Sequence, residues 1–230
     1  WVNEYQFIYT FNNAPVLSSI QNQTINEDEV TVVKLTATDL DGDVLTYSGI
    51  ADTSAVTVTA SNDTLKLTPK ADWNGTSVIT AIVTDGTTTD STSFKLTVTP
   101  VNDLPTAFDW VGSALDTINI TQSNLADTYT LQWDASTDVD GDTIDYLVYA
   151  KIGLYPTEEV EEITDTAFQL VYEQILEQVF EGSPVNGATV RLNVKVTDGI
   201  DTVDVTGENR VLYINRYEYL SVENEGLPTE

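Results

Sequence analysis

Two short acidic segments carry the side chains in this 230-residue sequence that are best suited to chemistry. They are Asp39-Leu40-Asp41-Gly42-Asp43 and Asp138-Val139-Asp140-Gly141-Asp142. An Asp-x-Asp pair in a loop points two carboxylates at one locus, and the glycine permits a sharp turn. Carboxylate oxygens are ligands that Ca²⁺ prefers, so both segments indicate calcium sites. The alternative is that Asp-Gly-Asp only forms a solvated turn.

The composition excludes most other kinds of site. The sequence has no Cys, His or Met, and it carries 9 Lys and Arg against 37 Asp and Glu, a formal net charge of −28. Zinc fingers, iron–sulfur clusters, disulfides and the usual catalytic triads are therefore excluded. A chain this acidic and this poor in cations is a poor partner for nucleic acid or an anionic membrane surface. No apolar run approaches the ~18 residues of a membrane span.

Two glutamate pairs are the remaining candidates for catalysis. Glu158/Glu159 and Glu161/Glu162 could imitate the carboxylate pair of a glycosidase. We expect them in one exposed acidic loop, without an apolar pocket to raise the pKa of either carboxyl. The sequence also lacks a Gly-rich phosphate loop. We therefore predict that the protein is not an enzyme.

An internal repeat organises the chain. Residues 37–47 match residues 136–146, which lie 99 positions later. Val83-Thr84-Asp85-Gly86 matches Val196-Thr197-Asp198-Gly199, now 113 positions later, so the second copy carries about 14 extra residues. We predict domains at 12–102 and 103–220, preceded by an N-terminal strand at 1–11 and followed by a tail at 221–230.

Short alternating segments dominate both domains. Apolar and polar residues alternate over stretches bounded by Asp, Asn, Gly or Pro at roughly ten-residue spacing, which is typical of an antiparallel β-sandwich. The extra residues of the second domain differ, because apolar side chains recur with helical period from Phe168 to Phe180. We predict an all-β protein with a helix near 168–181, which either caps the sandwich or docks a partner.

The first repeat resembles the cadherin family. Leu35-x-Ala37-x-Asp39-x-Asp41-Gly42-Asp43-x-Leu45-x-Tyr47 resembles the cadherin signature with its Asp-x-Asp calcium ligands. Residues 98–105 are similar to the cadherin linker, and Asp72-Trp73-Asn74 stands where cadherins carry Asp-Arg-Glu. Residues 12–105 thus resemble the cadherin-like and immunoglobulin-like repeats of bacterial surface proteins. The second domain resembles a fibronectin-III-like or cadherin-like relative more loosely.

The resemblance implies two tandem sandwiches and two calcium sites. The first site would lie at the start of the first domain. Its ligands would be Asn13, Asp39, Asp41 and Asp85. The second site would lie at the domain junction. Its ligands would be Glu27, Asp72, Asn102, Asp103, Asp138, Asp140 and Asp198.

The N-terminal residues predict a strand that belongs to neither domain. Tyr5, Phe7, Tyr9 and Phe11 alternate with other residues before the first domain begins. An apolar strand needs a partner. It is either the last strand of an earlier domain, or it inserts into the next copy of the molecule and builds a filament. The C-terminal run 211–219 could be its neighbour.

Two further patterns bear on export and modification. Residues 220–230 resemble the stretch before the C-terminal sorting domain of type IX secreted proteins, which implies an exported, cell-surface protein. Asp-Ser/Thr triplets resemble the O-glycosylation sites of Bacteroidetes-type bacteria. The candidate acceptors are Thr64, Ser91, Thr117, Thr143, Thr166 and Thr202.

These features favour a noncatalytic structural protein outside the cell. We expect a subunit of a bacterial surface filament, assembled head-to-tail by β-strand addition, stiffened by calcium and partnered by other copies or by neighbouring domains. One alternative is a stalk or binding module of a large secreted adhesin, with carbohydrate as a ligand. Another is a noncatalytic accessory domain of a secreted enzyme.

Overall fold

A computed structural model describes residues 11–180 and 185–217. The chain divides into two compact units, Trp1–Val101 and Asn102–Glu230. Strands dominate both units, and the described residues contain one helix, so the predicted all-β sandwich class is confirmed. The predicted strand residues Tyr5, Phe7 and Tyr9 and the tail 221–230 lie outside the described residues.

The described part of the first unit, from residue 11 onward, contains nine strands in three sheets. The strands are β1 (Val16–Leu17), β2 (Gln23–Asn26), β3 (Thr31–Lys34), β4 (Ala37–Thr38), β5 (Thr46–Ala51), β6 (Val56–Ser61), β7 (Thr64–Pro69), β8 (Gly75–Thr84) and β9 (Thr89–Thr99). The main sheet has the order β2-β9-β8-β5, the second has the order β3-β7-β6, and β1 pairs with β4. Strand β2 runs parallel to β9, whereas the other pairings are antiparallel.

Alternation places the apolar residues of this unit between its sheets. Leu65 and Leu67 on β7 and Ile79 and Leu96 on the main sheet are completely buried. Burying a side chain of this size contributes about 1.5–3 kcal/mol. The threonines and serines that alternate with these residues face outward, and their polar faces keep the two outer surfaces in water.

The second unit repeats this plan with an addition. Its elements are β10 (Leu115–Ile120), β11 (Thr128–Gln132), β12 (Asp145–Ile152), β13 (Glu158–Ile163), β14 (Ala167–Val171), α1 (Tyr172–Phe180), β15 (Gly187–Thr197), β16 (Thr202–Asp204) and β17 (Arg210–Arg216). The main sheet has the order β10-β17-β15-β12-β13, with β16 beside β15, and β11 pairs with β14. Here too the first strand runs parallel to the last, β10 to β17.

The inserted helix of the second unit is confirmed with a later start, and two other sequence predictions about this unit are wrong. The predicted helix begins four residues late, at Tyr172, because residues 168–171 belong to β14 and pair with β11. The glutamates of 158–162 form strand β13 at the edge of the main sheet, not a loop. Finally, β17 has β10 on one side and β15 on the other, so the described part of the 211–219 run has no open edge for an N-terminal strand.

Candidate metal sites

The pairing of β1 with β4 brings the start of the first unit next to its acidic loop. Val16 pairs with Thr38 in antiparallel register, so the residues before β1 and those after β4 emerge at the same end. The main-chain N–H of Leu17 also donates to Oδ2 of Asp90 at 2.7 Å, which ties β1 to β9. We name the polar residues at this end the first linker cluster. It consists of Asn12, Asn13, Asp39, Asp41, Asp43 and Asp85.

Asp39 accepts hydrogen bonds from the acidic loop with only one of its two carboxylate oxygens. Its Oδ1 accepts the main-chain N–H groups of Asp41 at 2.9 Å and Asp43 at 3.3 Å. Its Oδ2 is buried and has no hydrogen-bond partner. A carboxylate oxygen from each of Asp39, Asp41 and Asp43 lies within 4.8 Å of the other two. A buried anionic oxygen without a donor is costly, and a bound cation would satisfy it.

The two asparagines before β1 hold the loop carboxylates in place. The main-chain N–H of Asn13 donates to Oδ2 of Asp41 at 2.6 Å, and the side-chain amide of Asn13 donates to Oδ1 of Asp41 at 3.0 Å. The Asn12 amide donates to Oδ2 of Asp85 at 2.8 Å. The cluster therefore joins all four residues predicted for the first site.

Asp85 is held in its charged form. Its carboxylate accepts the main-chain N–H groups of Thr87 and Thr88 and the Thr88 hydroxyl, each at 2.7 Å. The Thr88 N–H above all, followed by the Asn12 amide, lowers the pKa of Asp85 far below its ordinary value of 3.8. Hydrogen bonds to the ionised form favour that form, so Asp85 is available as an anionic ligand across the physiological pH range.

The second unit builds the same arrangement at its own beginning. Oδ1 of Asp138 accepts the main-chain N–H groups of Asp140 at 2.8 Å and Asp142 at 3.4 Å, and its Oδ2 is buried without a hydrogen-bond partner. The main-chain N–H of Asp103 donates to Oδ2 of Asp140 at 2.8 Å. We name this group the second linker cluster. It consists of Asn102, Asp103, Asp138, Asp140, Asp142, Asp198 and Asp201.

Buried hydrogen bonds position the second acidic loop. The hydroxyl of Tyr146, on β12 and 2% exposed, accepts the main-chain N–H of Ser136 at 2.8 Å. The Ser136 hydroxyl donates to the carbonyl of Thr106 at 2.6 Å, and the main-chain N–H of Thr106 donates to the Thr137 carbonyl at 2.8 Å. These bonds tie the residues before Asp138 to those after Asp103.

Two differences make the second cluster more acidic than the first. Asp103 stands where the first unit has Asn13. Asp201 stands where the first unit has Thr88, since Thr197 and Thr84 donate to the carbonyls of these two residues in the same way. The Asn102 amide donates to both Asp198 at 3.0 Å and Asp201 at 3.1 Å. The main-chain N–H of Asp201, followed by the Asn102 amide, lowers the pKa of Asp198 below its ordinary value.

Glu27 lies at the other end of the first unit. It is only 4% exposed, and its Oε1 accepts the main-chain N–H of Val101 at 2.6 Å, just beyond β9. Its Oε2 accepts the Asn74 amide at 3.3 Å. Asp72 lies at this end too, where its main-chain N–H donates to Oδ1 of Asp28 at 3.1 Å. Within the first unit, then, Glu27 and Asp72 are separated from the first linker cluster by the length of β9.

Sequence reasoning missed four cluster residues. They are Asn12, Asp43, Asp142 and Asp201. The repeat itself contained the signal for Asn12, because this residue precedes Asn13 as Asn102 precedes Asp103. Asp43 and Asp142 are the last residues of the two acidic segments, so the sequence pattern also contained the signal for them. Asp201 follows Asp198 by three residues, and only the folded turn shows that both carboxylates share the Asn102 amide.

The donor set fits a hard divalent cation. All the ligand groups in both clusters are carboxylate, amide or main-chain oxygens, which Ca²⁺ takes six to eight at a time. Neither cluster contains nitrogen or sulfur ligands of the kind that zinc and copper prefer. Asp39 and Asp138 would each supply their buried Oδ2 to such an ion.

Comparison with known protein families gives one match. Residues 11–99 match the family model of the cadherin-like domain. This part of the chain is thus similar to a family of domains that are noncatalytic and generally lie outside cells. None of the curated proteins matches the sequence. Among the described residues, no helix has the length and apolar character needed to cross a membrane.

Several solved structures are similar to most of the chain. Human protocadherin-24 EC1-2 is 16% identical, with 90% of this chain and 100% of that one covered and a TM-score of 0.43. Drosophila N-cadherin EC1-4 is 12% identical, with coverages of 90% and 50% and a TM-score of 0.44. An endo-fucoidan hydrolase of glycoside hydrolase family 107 is 21% identical, with a TM-score of 0.33. The chain covers 29% of that hydrolase, and 90% of this chain is matched.

Proposed function

We propose that the protein is a noncatalytic extracellular structural module that binds calcium at its linker clusters and assembles head-to-tail into a surface filament. One observation carries the calcium part of the proposal. Asp39 and Asp138 occupy equivalent positions in the two units, and each keeps a buried carboxylate oxygen without a hydrogen-bond donor. In a solvated turn, the Oδ2 atoms of Asp39 and Asp138 would be exposed to water. Burial of this atom in both units therefore favours a role as a calcium ligand.

The role of the cation is mechanical. Three carboxylates within 4.8 Å of one another repel each other in each unit. A bound Ca²⁺ replaces that repulsion with attraction, and its binding free energy adds to the stability of the folded unit. Calcium therefore stiffens the loops that lead into each sandwich.

The junction site predicted from the sequence belongs to the same proposal. Glu27 is bonded to the main chain of Val101, and the next two residues along the chain, Asn102 and Asp103, belong to the second linker cluster. A cation that recruits Glu27 and Asp72 together with Asn102 and Asp103 would fix the linker between the units. Calcium removal would then loosen the angle between them.

Assembly is assigned to residues 1–11. Their alternation of aromatic and other residues supports a donor strand, and Phe11, the one aromatic of the set that the structure describes, is 83% exposed. Insertion of this strand into the next copy is a heterologous contact that does not close, so it produces a filament. Export by a type IX route and O-glycosylation at the predicted acceptors remain parts of the proposal that rest on the sequence.

Electron microscopy of the intact chain tests the assembly. Purified protein is imaged with calcium, with a chelator, and as a variant that lacks residues 1–11. We expect filaments from the intact chain, single particles from the shortened chain, and loosened filaments in chelator. Isolated particles from the intact chain at high concentration would overturn the filament and favour the alternative, a stalk piece of a longer adhesin.

A further inference from the structure

A groove of about 550 Å³ lies at one end of the second unit, and we name it the tyrosine groove. Strands β15 and β17 contribute Thr189 and Tyr213, which are cross-strand partners. The turn after β12 contributes Tyr155, and α1 contributes Val179. The described residues that line the groove are all uncharged, although the chain carries a net charge of −28. Charged residues occur at its border, where Arg216 follows the last lining residue of β17.

The tyrosine groove lies at the end of the second unit that is opposite the second linker cluster. Strand β12 begins at Asp145, just after the acidic loop, and reaches the groove with its last residue, Ile152. Strand β15 begins at the groove with Gly187 and ends at Thr197, immediately before Asp198 of the cluster. The length of the main sheet therefore separates the groove from the cluster.

Among the described residues, exposed aromatic side chains occur at two places. Tyr155 and Tyr213 line the tyrosine groove, and Tyr217 comes just after β17 at the same end of the main sheet. The fourth exposed aromatic residue is Phe11, which precedes Asn12 of the first linker cluster. Covering an exposed aromatic ring removes a large apolar area from water. A contact between these two places would bury all the exposed aromatic residues that the structure describes.

The composition of residues 1–11 suits the tyrosine groove. The segment has seven apolar or aromatic residues and one charged residue, Glu4. Residues 218–230, the other terminal segment, carry four carboxylates and no cation. Burying a carboxylate against an uncharged surface is costly, so the lining of the groove favours residues 1–11.

We infer that the tyrosine groove receives the aromatic side chains of residues 1–11 from another copy of this chain. The inference rests on the proposed head-to-tail assembly and names the surface on which the N-terminal segment docks. Strands β15 and β17 each have a partner on both sides, so side chains make the contact and no open strand edge is needed. In a strand, the four alternating aromatic residues of the segment would project from one face. Grooves of roughly 300–1,000 Å³ are large enough to bury groups of this kind.

Two full-length variants test the contact by complementation. Tyr213→Asp places a carboxylate in the groove and keeps residues 1–11 intact, whereas Phe7→Asp alters the segment and keeps the groove intact. Leu115→Asp is the matched control, because Leu115 is 60% exposed on the outer face of the same sheet and does not line the groove. Sedimentation velocity measures the size of each species, and circular dichroism establishes that every chain is folded.

We expect the wild type and Leu115→Asp to polymerise alike. Tyr213→Asp and Phe7→Asp should each need a concentration at least about tenfold higher, because a carboxylate would then be buried in the contact. An equal mixture of these two variants should form pairs, through residues 1–11 of the first and the groove of the second. The pairs cannot grow, since each partner has lost one half of a heterologous contact.

The outcomes separate the groove from the assembly itself. If Tyr213→Asp polymerises as the wild type does while Phe7→Asp stays monomeric, the assembly stands and the groove is not the acceptor. That result is expected if residues 218–230 of the same chain, or a glycan, occupy the groove. Failure of the mixture to form pairs would also overturn the inference. A wild type that stays monomeric would overturn both the assembly and the inference.

Discussion

The main-chain N–H of Asn13 donates to Oδ2 of Asp41 at 2.6 Å, and this bond ties the segment before the first sandwich to its acidic loop. The second unit repeats the relationship, because the main-chain N–H of Asp103 donates to Oδ2 of Asp140 at 2.8 Å. The bond fixes where the chain enters each sandwich. It also orients a second carboxylate beside the buried oxygen of Asp39 or Asp138.

Replacing Asp39 with Asn separates calcium binding from folding. The amide of Asp39→Asn keeps an oxygen that can accept the N–H groups of Asp41 and Asp43, but it loses the anionic ligand. At a calcium concentration 100 times the Kd, binding stabilises the wild type by roughly 2.7 kcal/mol. We expect thermal denaturation to show that calcium no longer stabilises the first unit of the variant to this extent. In chelator, the stability of the variant should be close to that of the wild type.

The control is Asp63→Asn, which removes an exposed carboxylate 3.6 Å from Lys34 and outside the linker clusters. Its calcium dependence should match that of the wild type. Equal responses of the two variants to calcium would show that Asp39 is not a ligand.

The glycine of the second acidic loop is required by its backbone conformation. Gly141 has a φ of +83°, with no atom near the place of a side chain. The cost of Gly141→Ala is therefore conformational, about 1–2 kcal/mol. Gly187→Ala, whose new methyl group meets its neighbours at an ordinary 3.6 Å, should change stability by less than about 0.5 kcal/mol. Urea unfolding measures both, and equal losses would contradict this account.

Acid should weaken the fold through Asp85. The pKa of Asp85 lies below its unfolded value of 3.8, because the Thr88 N–H and the Asn12 amide favour the carboxylate. Its contribution to stability is therefore present above about pH 4 and is lost as the pH falls below that value. In chelator, the free energy of unfolding of Asp85→Asn should fall less steeply than that of the wild type between pH 4 and pH 2. Parallel profiles would argue against the hydrogen-bonded carboxylate.

Glu27 should stabilise the end of β9. In Glu27→Gln the new amide faces the Asn74 amide, and the bond to the Val101 N–H loses its charge. Loss of a buried charge-assisted hydrogen bond costs about 1–3 kcal/mol. Glu29→Gln is the matched control, since Glu29 is exposed and accepts one N–H, from Asn26 at 3.1 Å. Urea unfolding should show the larger loss for Glu27→Gln, and the reverse order would refute the assignment.

Much of the fold could be predicted because strand periodicity is local. The alternation from Ser77 to Thr84 lies within β8, and the repeat located both acidic loops. Periodicity gave the wrong element at residues 168–171, because apolar residues at helical spacing are also compatible with a strand. Pairing with β11 makes these residues a strand. The sequence prediction was also wrong at β13, because four glutamates in a short segment are typical of an exposed loop. At a sheet edge, however, such charges are tolerated and discourage pairing with another chain.

The candidate sites were predictable where they lay within one segment and not where folding assembled them. Asp39 and Asp41 lie in one loop, so their spacing in the sequence was sufficient to predict that their carboxylates lie close together. The bond between Asn12 and Asp85 joins residues 73 positions apart, and only the tertiary structure brings them together. The buried state of the Asp39 Oδ2 atom likewise depends on packing that no spacing reveals.

Isothermal titration of calcium into the chelator-treated full-length chain tests the central claim most directly. The account predicts saturable binding to the wild type, with one class of sites removed by Asp39→Asn and another by Asp138→Asn. Asp63→Asn should bind as the wild type does. Absence of saturable binding, or identical titrations for the wild type and both linker-cluster variants, would contradict the assignment of these clusters as calcium sites.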